Sequence, residues 1–267
     1  MGFNRRTVDF LASLNRYRDI LLKTLNVPLL GFIIKRVMDK EGTVFTYIPV
    51  NENVEVNSSA ALPITIAEYF IHEASHRVIL GFCPCRRTMH CKNHDENLGC
   101  IFLGEGAAEI ITPDVGRSVS AIEAIAHLHK AVDAGLVPVI GKVKFDAAYL
   151  GVKKHHRLMT ICICCQCCCL ARGIHHAPRD VRDVIVKLEG VEVKVSGDCR
   201  GCGTCVEACI FKQINIVDGR ALIGEECKGC GRCVRTCPNG AIGINVENPE
   251  YIRQCIERIS AFVEFRN

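Results

Sequence analysis

The sequence predicts an α+β protein: a mixed α/β, cysteine-rich N-terminal domain over residues 1–185, then a small cysteine-built domain with a C-terminal helix over residues 186–267. Three observations carry this expectation. A four-cysteine run, C-x2-C-x2-C-x3-C, occurs twice near the C-terminus, each cysteine of the first run standing 28 residues before its counterpart. Ten further cysteines of the 19 gather in two knots before residue 170. Ahead of the twinned runs, helical and strand periodicities alternate, as a mixed domain requires.

Residues 7–25 place Val8, Leu11, Leu14, Leu21 and Leu25 at helical spacing among charged positions. The apolar stretch Val27 to Met38 contains Pro28, Lys35 and Arg36 and is too short to span a bilayer. Val44 to Val56 reads as one or two strands broken by Pro49 and Asn51. Pro63 to His76 reads as helix, followed by a strand at Val78-Ile79-Leu80 that leads to Cys83. Ser120 and Glu123 form a capping box that opens a helix over Ile122, Ile125 and Val132. Gly135 closes that helix, and Leu136 to Ile140 resumes as strand. Residues 181–195 alternate valine and charge around a turn at Gly190, with the domain boundary near 178–190. Asn248-Pro249 caps a final helix whose apolar face carries Ile252, Cys255, Ile256 and Ile259, so Cys255 reads as core.

The twinned runs are Cys199, Cys202, Cys205, Cys209 and Cys227, Cys230, Cys233, Cys237. This spacing suits two iron–sulfur clusters whose ligand sets interleave, three thiolates of a run on one cluster and the fourth on the other. Beyond the sulfurs, Gly201 and Gly203 repeat as Gly229 and Gly231, Val206 as Val234, Ile214 as Ile242 and Ile216 as Ile244. Glycine at those places permits positive φ and brings N–H groups toward sulfur, while the isoleucines supply a dry floor. A pair of zinc sites or a disulfide framework are the rival readings. The duplicated third cysteine and x3 step favour iron–sulfur, and disulfides need an oxidising compartment.

Residues 191–248 resemble the bacterial-type dicluster ferredoxins. The resemblance implies two [4Fe–4S] clusters, one on Cys199, Cys202, Cys205 and Cys237, the other on Cys227, Cys230, Cys233 and Cys209. Pro238 follows Cys237 as in that family, but Ile210 follows Cys209 where the family has proline. That departure touches packing beside a ligand and leaves the ligand count intact.

The N-terminal knots are Cys83, Cys85, Cys91 and Cys100, then Cys162, Cys164, Cys165, Cys167, Cys168 and Cys169. A C-x-C step aims two thiolates at one centre, and Gly99 eases the approach of another. These ten thiols are expected to bind one or two additional iron–sulfur clusters: two cubanes with two thiols to spare, or one larger non-cubane cluster. Zinc, copper(I) or buried cysteine used as a small hydrophobe are the alternatives. Cys83-Pro-Cys-Arg86, Gly99-Cys-Ile-Phe-Leu-Gly104, Gly135-Leu-Val137 and Cys162-Ile-Cys-Cys-Gln-Cys-Cys-Cys169 give residues 60–170 a resemblance to iron–sulfur proteins of anaerobic archaea and bacteria whose roles are poorly characterised. It implies redox metal binding and no particular substrate.

His72-Glu73-Ala74-Ser75-His76 fits H-E-x-x-H on an expected helix, with Glu96, Glu105 or Glu109 available as a third ligand. Ten histidines make a chance match unsurprising, so the motif reads as surface or as support for the nearby cysteine site. His155-His156-Arg157 and His175-His176 flank the dense cysteine run and read as solvated loops ahead of donors to cluster sulfur. His127 and His129 are expected on the exposed side of their helix. Lys142, Lys144, Lys153 and Lys154 form a loose basic stretch, read as a solvated face ahead of a docking patch.

Nearly half of the 267 residues are apolar and tryptophan is absent. Eight ligating thiolates and two 2+ cluster cores bring the formal charge of +4 to zero, so bulk charge gives no argument for nucleic acid. Arg5-Arg6 followed by Phe10 and Leu11 looks like a twin-arginine export signal, but Asn15, Arg16, Arg18 and Asp19 interrupt the apolar stretch such a signal needs. A cytoplasmic protein of an anaerobe is expected, with a redox protein partner, no nucleic acid and no membrane insertion. Three functions fit: a single-electron relay through two [4Fe–4S] clusters to or from an N-terminal cluster, a reductase or reductive activase reacting at that cluster, or a redox- or metal-sensing regulator. An enzyme here would be an oxidoreductase of low-potential one-electron chemistry, with catalytic residues unassigned.

Overall fold

Asn4 begins the first helix, its side-chain oxygen accepting the Thr7 N–H at 3.0 Å. The computed structural model describes residues 2–27, 43–49, 54–56, 63–112, 114–246, 248 and 250–266. The stretch after Val27, with Pro28, Lys35, Arg36 and Met38, lies outside them, as do Asn51 and Pro249.

The chain forms α1 (Arg5–Ser13), α2 (Arg18–Thr24), β1 (Thr43–Tyr47), β2 (Val54–Val56), α3 (Ile64–Glu73), β3 (Arg77–Leu80), α4 (Pro84–Thr88), β4 (Ile101–Leu103), β5 (Gly116–Ser118), α5 (Ala121–Asp133), β6 (Val137–Val143) and α6 (Lys144–Leu150). It continues with β7 (Met159–Cys164), α7 (Arg179–Arg182), β8 (Ile185–Val186), β9 (Val191–Val195), α8 (Thr204–Ala208), β10 (Ile214–Val217), β11 (Arg220–Ile223), α9 (Arg232–Thr236), β12 (Ile242–Val246) and α10 (Tyr251–Ser260). This is the expected α+β class.

Seven strands make the principal sheet in the order β5-β3-β4-β7-β6-β1-β8. Its pairings are antiparallel except β1 with β8. Alternation along the strands separates two cores. Ile79, Ile101, Leu103 and Ile161 join Phe70, Leu128 and Ala131 on one face. Val78, Leu80 and Phe102 join Val8, Ala147 and Leu150 on the other. β10 pairs with β11 alone, and the third sheet runs β2-β12-β9. Strand β2, from well before position 185, therefore pairs in parallel with β12 of the C-terminal region. The larger core also crosses that position, holding Tyr47 and Met159 together with Phe211, Ile242 and Tyr251.

Several expectations shift. A 3-10 turn at Leu14–Tyr17 rotates the second half of the N-terminal helix, so Leu14 and Leu21 are exposed while Leu22 and Leu25 are buried. The Ser120 hydroxyl does accept the Glu123 N–H at 3.2 Å, and Gly135 closes α5 with φ +86°. The buried face of α5 is Ala124, Leu128 and Ala131, and Ile122 is 83% exposed, because small side chains let the helix sit close to the sheet. Strand β7 runs straight into the dense cysteine segment, which the sequence reading had not given a strand. Cys255 is fully buried in the core, as expected of it.

Candidate metal centres

The repeat around the twinned runs is a repeat of backbone geometry. Gly201 and Gly229 take φ of +62° and +64°, and Gly203 and Gly231 take +83° and +76°. Each second glycine opens a one-turn helix, α8 or α9, whose last residue is followed by a cysteine. Gln213 N–H donates to Cys209 Sγ and Ala241 N–H to Cys237 Sγ, both at 3.3 Å and at equal offset. Ala221 N–H does the same for Cys199 Sγ at 3.3 Å. Such donors stabilise thiolate and lower its proton affinity, and Cys199 is held below the ordinary thiol range by the N–H groups of Ala221 and Gly201.

The last cysteine of the second run lies beside the first run. Cys199, Cys202, Cys205 and Cys237 line one cavity, floored by Ile216 and Ile242. Cys233 is pushed up by burial and by the charges of Cys230, Cys227 and Cys209. The set around that cavity is four soft thiolates with backbone donors around it, a donor set that fits a [4Fe–4S] group. Ile214, Ile242 and Ile244 are buried as the floor requires; Ile216 keeps 37% of its surface exposed. Ile210 is buried at 3% in the place of the family's proline.

The ten N-terminal cysteines come together, and they divide. Cys91, Cys165, Cys167 and Cys168 place their sulfurs within 4.8 Å of one another. Cys91 and Cys167 are 3.5 Å apart, Cys167 and Cys168 3.6 Å. Against the cost of burial, the Asn93 N–H and the thiols of Cys167 and Cys168 hold Cys91 below its usual value. The other six, Cys83, Cys85, Cys100, Cys162, Cys164 and Cys169, lie on the sheet side. Cys164 and Cys169 are 3.2 Å apart. The thiols of Cys100 and Cys85 pull Cys83 down, and those of Cys162 and Cys169 pull Cys164 down.

Three buried arginines hold the backbone of this cysteine ribbon. Arg18 Nη1 donates to the carbonyls of Cys168 at 3.2 Å and Cys169 at 3.1 Å. Arg86, wholly buried, donates to Ile163 O at 2.8 Å, to Asp95 O at 3.0 Å and to Leu98 O. Arg232, between Cys230 and Cys233 of the second run, reaches across to Cys164 O at 3.0 Å. Its guanidinium carbon also lies 5.4 Å from the Tyr47 ring centroid, and Tyr47 Oη is 4.0 Å from Cys169 Sγ. The charges of Cys230, Tyr47, Cys169 and Cys164 outweigh desolvation and raise Arg232 further. Asp146 is buried beside the same sulfurs, and burial pushes its carboxyl up to about 7. Sequence reasoning missed Arg18, Arg232, Tyr47 and Asp146 as members of the site; only Arg86, in Cys83-Pro-Cys-Arg86, carried a local signal.

The histidine motif comes apart. Helix α3 ends at Glu73 and Ala74 is extended, so His72 and His76 do not share a helical face. His72 pairs with Glu73 at 3.4 Å, Glu73 with Arg266 at 3.1 Å, and His76 with Ser75 at 3.3 Å. Glu96 pairs with Arg87 at 3.0 Å, Glu105 with Lys154 and Arg157, and Glu109 accepts the Lys153 N–H at 2.7 Å. His155 and His156 are exposed, and His175 meets Arg172 O at 2.9 Å. His129 meets Glu68 at 2.6 Å, while His127 turns inward to Gly99 O at 2.9 Å, against the expectation that both face solvent.

Residues 222–243, which contain the second run of four cysteines, match the 4Fe-4S binding domain family. No curated protein and no solved structure matches the chain. The chain thus carries a ferredoxin-type iron–sulfur domain, and among the described residues no helix is long and apolar enough to cross a membrane.

Proposed function

We propose that this chain is a single-electron relay between a redox protein partner and a metal centre in its N-terminal half. Iron–sulfur clusters, when bound, take up and release one electron at a time. The chain's own residues do the rest. Cys199, Cys202, Cys205 and Cys237 hold one [4Fe–4S] group, and Cys227, Cys230, Cys233 and Cys209 hold its twin. Gly201 and Gly229 shape the loops that turn N–H groups toward sulfur, and the buried isoleucines keep water from the sites. Cys91, Cys165, Cys167 and Cys168 hold a further centre within the 1–185 part, while 186–267 carries the pair. An anaerobic cytoplasm would keep these thiols available as ligands.

The observation that supports this reading best is Cys237 of the second run lining one cavity with Cys199, Cys202 and Cys205 of the first, as interleaved ligand sets require. A second reading concerns the N-terminal quartet alone. Sulfurs 3.5 and 3.6 Å apart approach the edge of about 3.8 Å that a tetrahedral zinc–thiolate site requires. Iron, sulfide and zinc per chain, measured on anaerobically prepared protein, separate the two. The relay expects about twelve irons or more with matching sulfide, and zinc at the quartet expects about eight irons and one zinc. Colourless protein free of sulfide would remove the relay. Reoxidation of the reduced protein that depends on a small substrate would move the assignment to a reductase.

A further inference from the structure

Neither the twinned runs nor the N-terminal quartet uses Cys83, Cys85, Cys100, Cys162, Cys164 and Cys169. These six nevertheless gather around β4 and β7. Cys164 and Cys169 are 3.2 Å apart, Cys83 and Cys85 share the turn that opens α4, and the charges of Cys83, Cys85, Cys100 and Cys162 act on one another. The sheet explains the convergence. Ile101 pairs with Ile161 in antiparallel register, and one step further sets Cys100 opposite Cys162. Strand alternation then puts Cys162 and Cys164 on one face. The turn after β7 keeps the six apart from the quartet: of the neighbours Cys164-Cys165 and Cys168-Cys169, each pair sends one thiol to either group.

The charges around the six point to an anionic occupant. Arg86 is wholly buried and, among the described residues, gives its hydrogen bonds to the carbonyls of Asp95, Ile163 and Leu98. Arg232 is 4% exposed, and its Nη1 has no partner among the described residues. Among the described residues neither guanidinium has a carboxylate within ion-pair distance, and a buried cation without a counter-ion is strongly disfavoured. Thiolates bridged to metal supply the missing negative charge.

We infer that Cys83, Cys85, Cys100, Cys162, Cys164 and Cys169 bind an iron–sulfur cluster of their own, separate from the quartet's centre and held by more than the four thiolates of a single cubane. Arg86 and Arg232 stand against its charge. Cys83, Cys100 and Cys169 are buried and Cys85, Cys162 and Cys164 half-buried, a setting suited to storing or passing electrons. The inference rests on the relay reading and extends it by one centre.

The test uses the full chain, prepared anaerobically, with iron, sulfide and zinc counted and the dithionite-reduced EPR spectrum recorded. Three variants are compared with the parent: Cys100→Ala/Cys164→Ala in the six, Cys91→Ala/Cys167→Ala in the quartet, and Cys85→Ser as a milder change. The parent is expected to hold about sixteen irons or more, and each double variant to lose a different share of about four. Cys85→Ser should alter the spectrum assigned to the six and leave the quartet's signal in place. Retention of the C-terminal pair, about eight irons, certifies that a variant has folded. The inference falls if the six-cysteine variants keep the parent's iron and spectrum, if both double variants lose the same irons, or if zinc replaces iron at the six. A parent with about twelve irons, all insensitive to the six-cysteine variants, leaves the relay standing without this site. A parent with only about eight irons removes the N-terminal centre of the relay itself, and this site with it.

Discussion

Arg232 occupies the repeat position that Thr204 holds in the first run, and here the two halves part. Thr204 keeps its hydroxyl 3.6 Å from Cys202 Sγ at the exposed end of the domain. Arg232 instead carries a buried positive charge between Cys230 and the sulfurs of Cys164 and Cys169. A nearby cation stabilises the reduced, more negative state of a cluster. Arg232→Gln should therefore lower the potential of the centre on Cys227, Cys230, Cys233 and Cys209 by tens of millivolts, on the order expected for one charge in a partly desolvated site. The centre on Cys199, Cys202, Cys205 and Cys237 should move less, and Arg232→Lys should restore much of the shift. Redox titration followed by EPR reads both, and equal shifts at the two centres would contradict the placement. In the sequence Arg232 is one of 33 basic residues and carries no local signal, because its burial depends on a partner segment some 68 residues earlier.

At the scale of elements, local signals held where one short stretch decides its own geometry. The capping box at Ser120 is such a case, and Ser120→Ala should cost about 1 kcal/mol, read as a lower denaturation midpoint with an unchanged slope. Signals failed where packing decides. The helix over residues 64–73 stops before His76 because Ala74 turns into an extended approach to β3, and that breaks the H-E-x-x-H face. The short helical segments Glu105–Ile110 and His155–Arg157 are joined by Glu105, which pairs with Lys154 and Arg157, and Arg157 continues to Glu264 at 3.0 Å. Hydrogen bonds from Lys154 and Arg157 hold Glu105 down from the usual 4.5 to about 2. A depressed carboxylate stabilises the fold above its unfolded value, so this contribution is complete above about pH 4.5 and fades as the pH falls toward 2. The side chains are largely solvated and the effect is accordingly small. Denaturation midpoints of the parent and Glu105→Gln should differ at neutral pH and converge in acid; a constant difference would contradict the ion pair.

For the whole molecule, the C-terminal unit leans on the rest of the chain. Strand β2 pairs with β12, the Tyr47 ring meets Phe211 edge-on at 5.3 Å between centroids, and Arg258 Nη2 donates to Thr46 at 3.0 Å. Helix α10 also packs on α3. A fragment of residues 186–267 should keep its irons, since all eight ligands lie within it, yet melt at a lower temperature than the full chain. An unchanged melting temperature would mean that these contacts contribute nothing.

The sequence alone determined the loop geometry of the twinned cysteine runs: their glycines and the donors Gln213 and Ala241 lie within a few positions of the cysteines, so spacing fixes how the loops turn. It also marked ten N-terminal thiols as metal ligands by their density. How those ten divide, and which cations sit among them, was decided by tertiary structure. Antiparallel register set Cys100 against Cys162, the turn after β7 split adjacent cysteines between two sulfur groups, and burial of Arg86 and Arg232 came from contacts with carbonyls distant along the chain. A short-range pattern cannot encode these, because each depends on which strand pairs with which.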